Sequence, residues 1–96
     1  MHYVYYLMMS NGQIYTGFTA NLKQRFRQHA AGNVATTSKY LPITIVGYEA
    51  YSQKSDAQRR ERFMKTSEGK MLFKQQYRDA IDRVRPGSSV DRARDF

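Results

Sequence analysis

Arg25 and His29 are four residues apart in a stretch with helical periodicity, so they lie side by side and flank the apolar stripe begun by Leu22 and Phe26. A guanidinium there can grip a phosphate with two parallel hydrogen bonds, and the imidazole beside it can bond the same phosphate or an attacking water. The bland alternative is an arginine stem lying along apolar surface next to a half-exposed histidine. Glu61 falls on the apolar side of a later helical stretch, between Ala57 and Met64, while Arg59 and Arg62 point elsewhere. A carboxylate in that position needs a partner: an arginine such as Arg25, or a hard cation such as Mg²⁺, which takes few protein carboxylates and keeps several waters. A buried ion pair without catalytic duty meets the same need. Tyr5 and Tyr15 sit on two stretches of strand character, and a phenol near a cation can share its proton well below its usual pKa of about 10. That would make it a general base.

These side chains depend on the elements that carry them. Residues 3 to 9 (YVYYLMM) and 13 to 18 (QIYTGF) have strand composition around Asn11-Gly12, which predicts a β-hairpin. A helix is expected near 20 to 31, capped by Thr19 or Asn21 and stopped by Gly32, with Leu22, Phe26 and Ala30 as its inner stripe. Residues 32 to 42 read as a surface loop ending at Pro42. A third strand covers 43 to 51, where Gly47 signals a bulge or a close backbone approach. A second helix runs from Ser55 to Thr66, with Ser55 and Gln58 as a capping box, and Gly69 breaks the pattern. A third, over 70 to 84, aligns Leu72, Phe73, Gln76, Tyr77, Ala80, Ile81 and Val84. The order is β-β-α-β-α-α, an α+β fold, with residues 1–85 as one domain and 86–96 as a frayed tail.

Hairpin parity constrains the site. A two-residue Asn11-Gly12 turn would pair Met8 with Tyr15 and put Tyr5 and Tyr15 on opposite faces of the sheet. A shared pocket therefore requires an odd loop, with Gly12 as the left-handed residue of a three-residue turn.

Composition narrows the partners. The chain has 96 residues, 41% of them hydrophobic, and a mean hydropathy of -0.74. That suits a globular fold rather than wholesale disorder. Nothing in it approaches the roughly 20 apolar residues of a membrane span, and Met1-His2-Tyr3 leads directly into a strand, so membrane insertion and secretion are not expected. There is no cysteine, and His2 and His29 are the only histidines, so a metal would be held mainly by oxygen. Sixteen Lys+Arg against eight Asp+Glu give a net charge of +8, which favours a polyanion such as DNA, with RNA also open. Lys23, Arg27, Lys39, Lys54, Arg59, Arg62, Lys70 and Lys74 are candidate contacts to the nucleic-acid backbone.

In order along most of the chain, these residues resemble the GIY-YIG nuclease superfamily. Tyr3-Val4-Tyr5 stands where the GIY motif belongs, and Tyr15-Thr16-Gly17 stands for YIG. Arg25, His29, Leu41-Pro42, Tyr48-Glu49 and Ala57-x-x-x-Glu61 continue the pattern. Tyr3 replaces the first Gly, Thr16 replaces the central Ile, and no Asn follows Asn33, although some branches carry a late one. The compact length is similar to that of short stand-alone bacterial members. The resemblance implies a small three-stranded antiparallel sheet flanked by helices, and hydrolysis of DNA phosphodiester bonds with one Mg²⁺ or Mn²⁺. It further implies Glu61 as metal ligand, Arg25 as phosphate clamp, and His29 assisting at the phosphate or the water. Tyr5 and Tyr15 become base and positioning group, with Tyr5 preferred as base. Structure-selective cleavage in bacterial DNA repair or processing, in the cytoplasm, is the corresponding expectation. A non-catalytic nucleic-acid-binding module on the same scaffold is the alternative, and a plain protein-interaction domain is a more distant one.

Overall fold

The computed structural model describes residues 1–85. The segment 86–96, read from sequence as a tail, lies outside the described residues. Three strands, β1 (His2–Met8), β2 (Ile14–Thr19) and β3 (Thr44–Tyr51), form an antiparallel sheet in the order β2-β1-β3. Because β1 is the middle strand and both its faces are covered, Val4 through Met9 are all buried. Their run of apolar and aromatic residues without polar alternation has this cause.

Helices cover both faces. On one face α1 (Leu22–Ala30) and the short α2 (Ala35–Ser38) pack near Tyr5, Leu7, Met9 and Ile43, with Leu22 and Phe26 completing that core. On the other, α3 (Lys54–Met64), α4 (Ser67–Gln76) and α5 (Arg78–Val84) lie over Val4 and Tyr6, with Ala57, Met64 and Phe73 filling the layer. Among the described residues no helix is long and apolar enough to cross a membrane.

The three-stranded sheet flanked by helices matches the sequence reading, and two helices are added to it. Residues 35 to 38 turn once as α2 instead of looping, and the expected 70–84 helix is two helices joined at Tyr77. Gly69 breaks nothing: it lies within α4, where a Cβ would strike the backbone of Phe63 and Met64, so it permits close approach of α3. Gln53, not Ser55, precedes α3, and no side chain caps it, so the Ser55–Gln58 capping box does not form. Asn21 caps α1 by accepting from the Gln24 amide at 3.1 Å. Gly47 serves both suspected purposes, at a register shift opposite Tyr6 and Leu7 and with the Tyr77 ring 2.5 Å from where its Cβ would stand.

Sequence reading gave no hint of the second polar cluster. The Glu49 carboxylate accepts from the hydroxyls of Tyr6 (3.1 Å), Tyr51 (2.9 Å) and Tyr77 (3.0 Å) and from Arg60 Nε (3.0 Å), tying α3 and the Tyr77 junction to the sheet. Burial alone would raise the Glu49 pKa, but the bonds from Arg60, Tyr51 and Tyr77 outweigh it and hold the carboxyl below its ordinary value. A depressed carboxyl contributes stability that is complete above the unfolded value of 4.5 and is lost as pH falls through the lower folded value. Glu49→Gln should therefore cost about 2 kcal/mol at neutral pH by leaving Arg60 without its counter-charge. It should also flatten the acid limb of stability. Urea titrations across that range check both, and an unchanged acid limb would show that Glu49 does not carry it.

Candidate active site

The hairpin loop decides where the two phenols point. Ser10, Asn11 and Gly12 form a three-residue turn: the Gly12 amide donates to Met9 O and the Met9 amide to Gln13 O, each at 2.9 Å, with Gly12 at φ +85°. The register then sets Leu7 opposite Tyr15 and Tyr5 opposite Gly17. Since Tyr5 and Leu7 are two apart on one strand, Tyr15 shares their face, and the rings of Tyr5 and Tyr15 lie 6.2 Å apart between centroids. The Tyr5 ring lies over Gly17, where a Cβ would coincide with Cζ and the hydroxyl oxygen. The glycine is thus required by the position of the phenol.

Helix α1 brings two more groups to the same face. His29 is fully buried, not at the half-exposed edge that its spacing suggested, while Ala30, expected inside, is exposed. Its Nε2 is 2.9 Å from the Tyr5 hydroxyl and its Nδ1 is 2.8 Å from Thr37 Oγ1 on α2. Its ring meets that of Tyr15 edge-on at 5.0 Å. Arg25 is partly buried, and its Nη1 donates to Gln28 Oε1 at 3.0 Å. The pKa of Arg25 is raised, with the Tyr5 phenol the leading influence and Tyr15 also contributing.

Burial pushes Tyr5 up to about 12, against the opposing pull of Arg25. Burial and then the charge of Arg25 lower His29, so its imidazole is neutral at neutral pH. Desolvation of the anion is the stronger effect here, so Tyr5 rests protonated, and its use as a base needs the added pull of a bound cation or of the phosphate site. The two ring nitrogens of the neutral imidazole are thus each hydrogen-bonded to a hydroxyl, Tyr5 on one side and Thr37 on the other, and one of them carries the proton. No sequence signal marked Thr37, which lay in a presumed loop. Thr37→Val should lose about 1–3 kcal/mol by orphaning Nδ1, and Thr37→Ser should recover most of it, as read by urea unfolding. Equal stability of the Val and Ser proteins would reject this hydrogen-bond assignment.

Glu61 approaches from elsewhere. It stands on α3, on the sheet face opposite Tyr5, and α3 packs across β1 and the edge strand β2. Ala57 and Met64 are buried as its stripe predicts. The Glu61 side chain is 22% exposed and paired at 2.9 Å with Lys65, one turn on, and not with Arg25. The structure thus gathers Tyr5, Tyr15, Arg25 and His29, whereas Glu61 belongs to the other layer. One cleft joins the two layers around β2: Tyr15 and Thr16 line it together with Met64 and Lys65.

The eight candidate backbone contacts are all exposed, and the fold distributes them. Lys70 and Lys74 line that cleft. Lys23 and Arg27 are on α1, Lys39 follows α2, and Lys54, Arg59 and Arg62 are on α3, with Arg59 held by Asp56 at 2.8 Å.

Comparison with known proteins gives the family and the fold. The family model described as the GIY-YIG catalytic domain matches residues 1–77. A UPF0213 protein of Staphylococcus haemolyticus is 41% identical over 66 residues, covering 68% of this chain and 80% of its own. One from Streptococcus agalactiae is 34% identical over 80 residues, covering 80% and 91% respectively. The solution NMR structure of a UPF0213 protein from Bacillus halodurans superimposes with a TM-score of 0.50 at 33% identity, over 75% of this chain and 80% of that one.

Proposed function

We propose a nuclease function on the premise that this chain belongs to the GIY-YIG family, as the match over residues 1–77 establishes. The proposed reaction is metal-dependent hydrolysis of DNA phosphodiester bonds by residues 1–85, selective for structure rather than sequence, in DNA repair or processing in the cytoplasm. The observation that carries it is the packing of Tyr5, Tyr15 and His29 against one another with Arg25 beside them, Tyr15 also lining a cleft that carries lysines.

The donor set suits a hard cation. Among the described residues no three His, Cys, Asp or Glu side chains cluster, which excludes an all-protein cage. A single partly exposed carboxylate with an easily displaced lysine partner suits Mg²⁺ or Mn²⁺, whose other ligands are waters and phosphate. Glu61 would hold it, and when bound it would polarise the phosphate and stabilise the leaving oxygen. Arg25, oriented by Gln28, neutralises charge that develops on the phosphate. Tyr15 is only partly buried and positions the incoming water at the opening. Tyr5, beside Arg25 and hydrogen-bonded to His29, is the group to accept the proton of the water, and His29, fixed on its other side by Thr37, orients the phenol.

The test is incubation with supercoiled, branched and single-stranded DNA in Mg²⁺, in Mn²⁺ and in EDTA. Nicking that needs the metal is expected. Binding without cleavage in every condition would transfer the chain to the non-catalytic binding module.

A further inference from the structure

The cleft that opens at Tyr15 extends well beyond the residues assigned to chemistry. It has a volume of about 1240 Å³ and runs between the hairpin turn and helices α4 and α5. Its rim carries Lys65, Lys70, Lys74, Arg78 and Arg85 against a single acid, Asp82, which pairs with Arg85 at 3.5 Å. Lys70 and Lys74 are one turn apart on α4, about 6 Å along the axis. Ile14, Phe73 and Ile81, with Met9, give the lining an apolar part beside the polar turn residues Ser10, Asn11 and Gln13.

We propose that this cleft binds an unpaired nucleic-acid strand, with phosphates along the Lys70–Lys74–Arg78 rim and bases against the apolar floor, and delivers it to Tyr15. The inference deepens the nuclease reading and rests on it for the direction of delivery. Charge complementarity points to a polyanion. A second copy of this chain would bring a like charge of +8 against the same rim. A duplex keeps its base faces stacked inside and presents backbone and groove edges, whereas a single strand offers whole base faces to an apolar floor. An acidic amphipathic peptide would match rim and floor equally well. Continuity of the cleft with Tyr15 and Thr16, beside the phenol and guanidinium cluster, favours the phosphodiester chain. Arg78 and Arg85 thereby join the binding surface, and Lys23, Arg27 and Arg59 leave it.

The experiment is fluorescence anisotropy of a labelled oligothymidylate of about eight nucleotides, in EDTA so that cleavage plays no part. Wild type is compared with K70Q/K74Q/R78Q and with the equally neutralised K23Q/R27Q/R59Q; all six positions are exposed, and circular dichroism checks the folds. The cleft triple should weaken binding at least about tenfold and lower the log–log salt slope by about 2, at about 0.7 per lost phosphate contact. The control triple should change affinity less than about threefold, and a duplex of matching sequence should bind more weakly than the single strand. Equal losses in the two triples would reduce the effect to overall charge and overturn the proposal, as would tighter binding of the duplex or of an acidic peptide. A protein that binds as described but never cleaves keeps the cleft and loses the nuclease reading. One that cleaves while the cleft triple binds normally keeps the nuclease reading and loses the cleft.

Discussion

Glu61→Gln is expected to reduce metal-dependent nicking by about a thousandfold or more while leaving the protein folded. The first half follows from the proposed chemistry: charge stabilisation by a bound divalent metal amounts to several kcal/mol, and about 4 kcal/mol corresponds to a thousandfold in rate. The second half follows from the structure, because among the described residues the carboxylate is paired with exposed Lys65, one turn on, and such a pair contributes about 0.3–0.5 kcal/mol. Nicking rates on supercoiled DNA, measured beside thermal unfolding, read both. Nicking at the wild-type rate in Mg²⁺ would remove Glu61 from the reaction, and a large drop in melting temperature would mean that the carboxylate holds the fold together.

Gly17→Ala should damage the site from the opposite strand. The new methyl must occupy space now filled by the Tyr5 ring, and β1 cannot retreat because both of its faces are packed. Forcing extra volume into such a core costs about 1–3 kcal/mol. Displacing the phenol also breaks its hydrogen bond to His29, and a shift of about 1 Å at a catalytic group is worth about a hundredfold in rate. Gly12→Ala is the matched control: its Cβ would meet nothing within 4 Å, and its left-handed backbone, at φ +85°, costs about 1–2 kcal/mol in an alanine. The two variants should therefore lose comparable stability, and only Gly17→Ala should lose most of its activity. Equal activity in both would show that the placement of Tyr5 is unimportant.

The sequence by itself determined whatever depends on near neighbours. Three strands and the helices around them follow from apolar periodicity, which fixes the inner face of each segment. For Tyr5 and Tyr15 the sequence reduced the question to the parity of one hairpin, and the structure answered it with an odd loop ending in a left-handed Gly12. Arg25 and His29 stand together because one helical turn separates them. Only the tertiary structure decided the rest, because it depends on which distant segments meet. Nothing local could show that β1 is the central strand, that α2 places Thr37 on His29, or that burial keeps the proton on the Tyr5 phenol. The same holds for Glu49, where three phenols and a guanidinium come from separate elements, and for Glu61, whose partner is Lys65 and whose helix covers the other face of the sheet. Desolvation and hydrogen bonding act through space, and their balance at a side chain is settled only when the chain has closed around it.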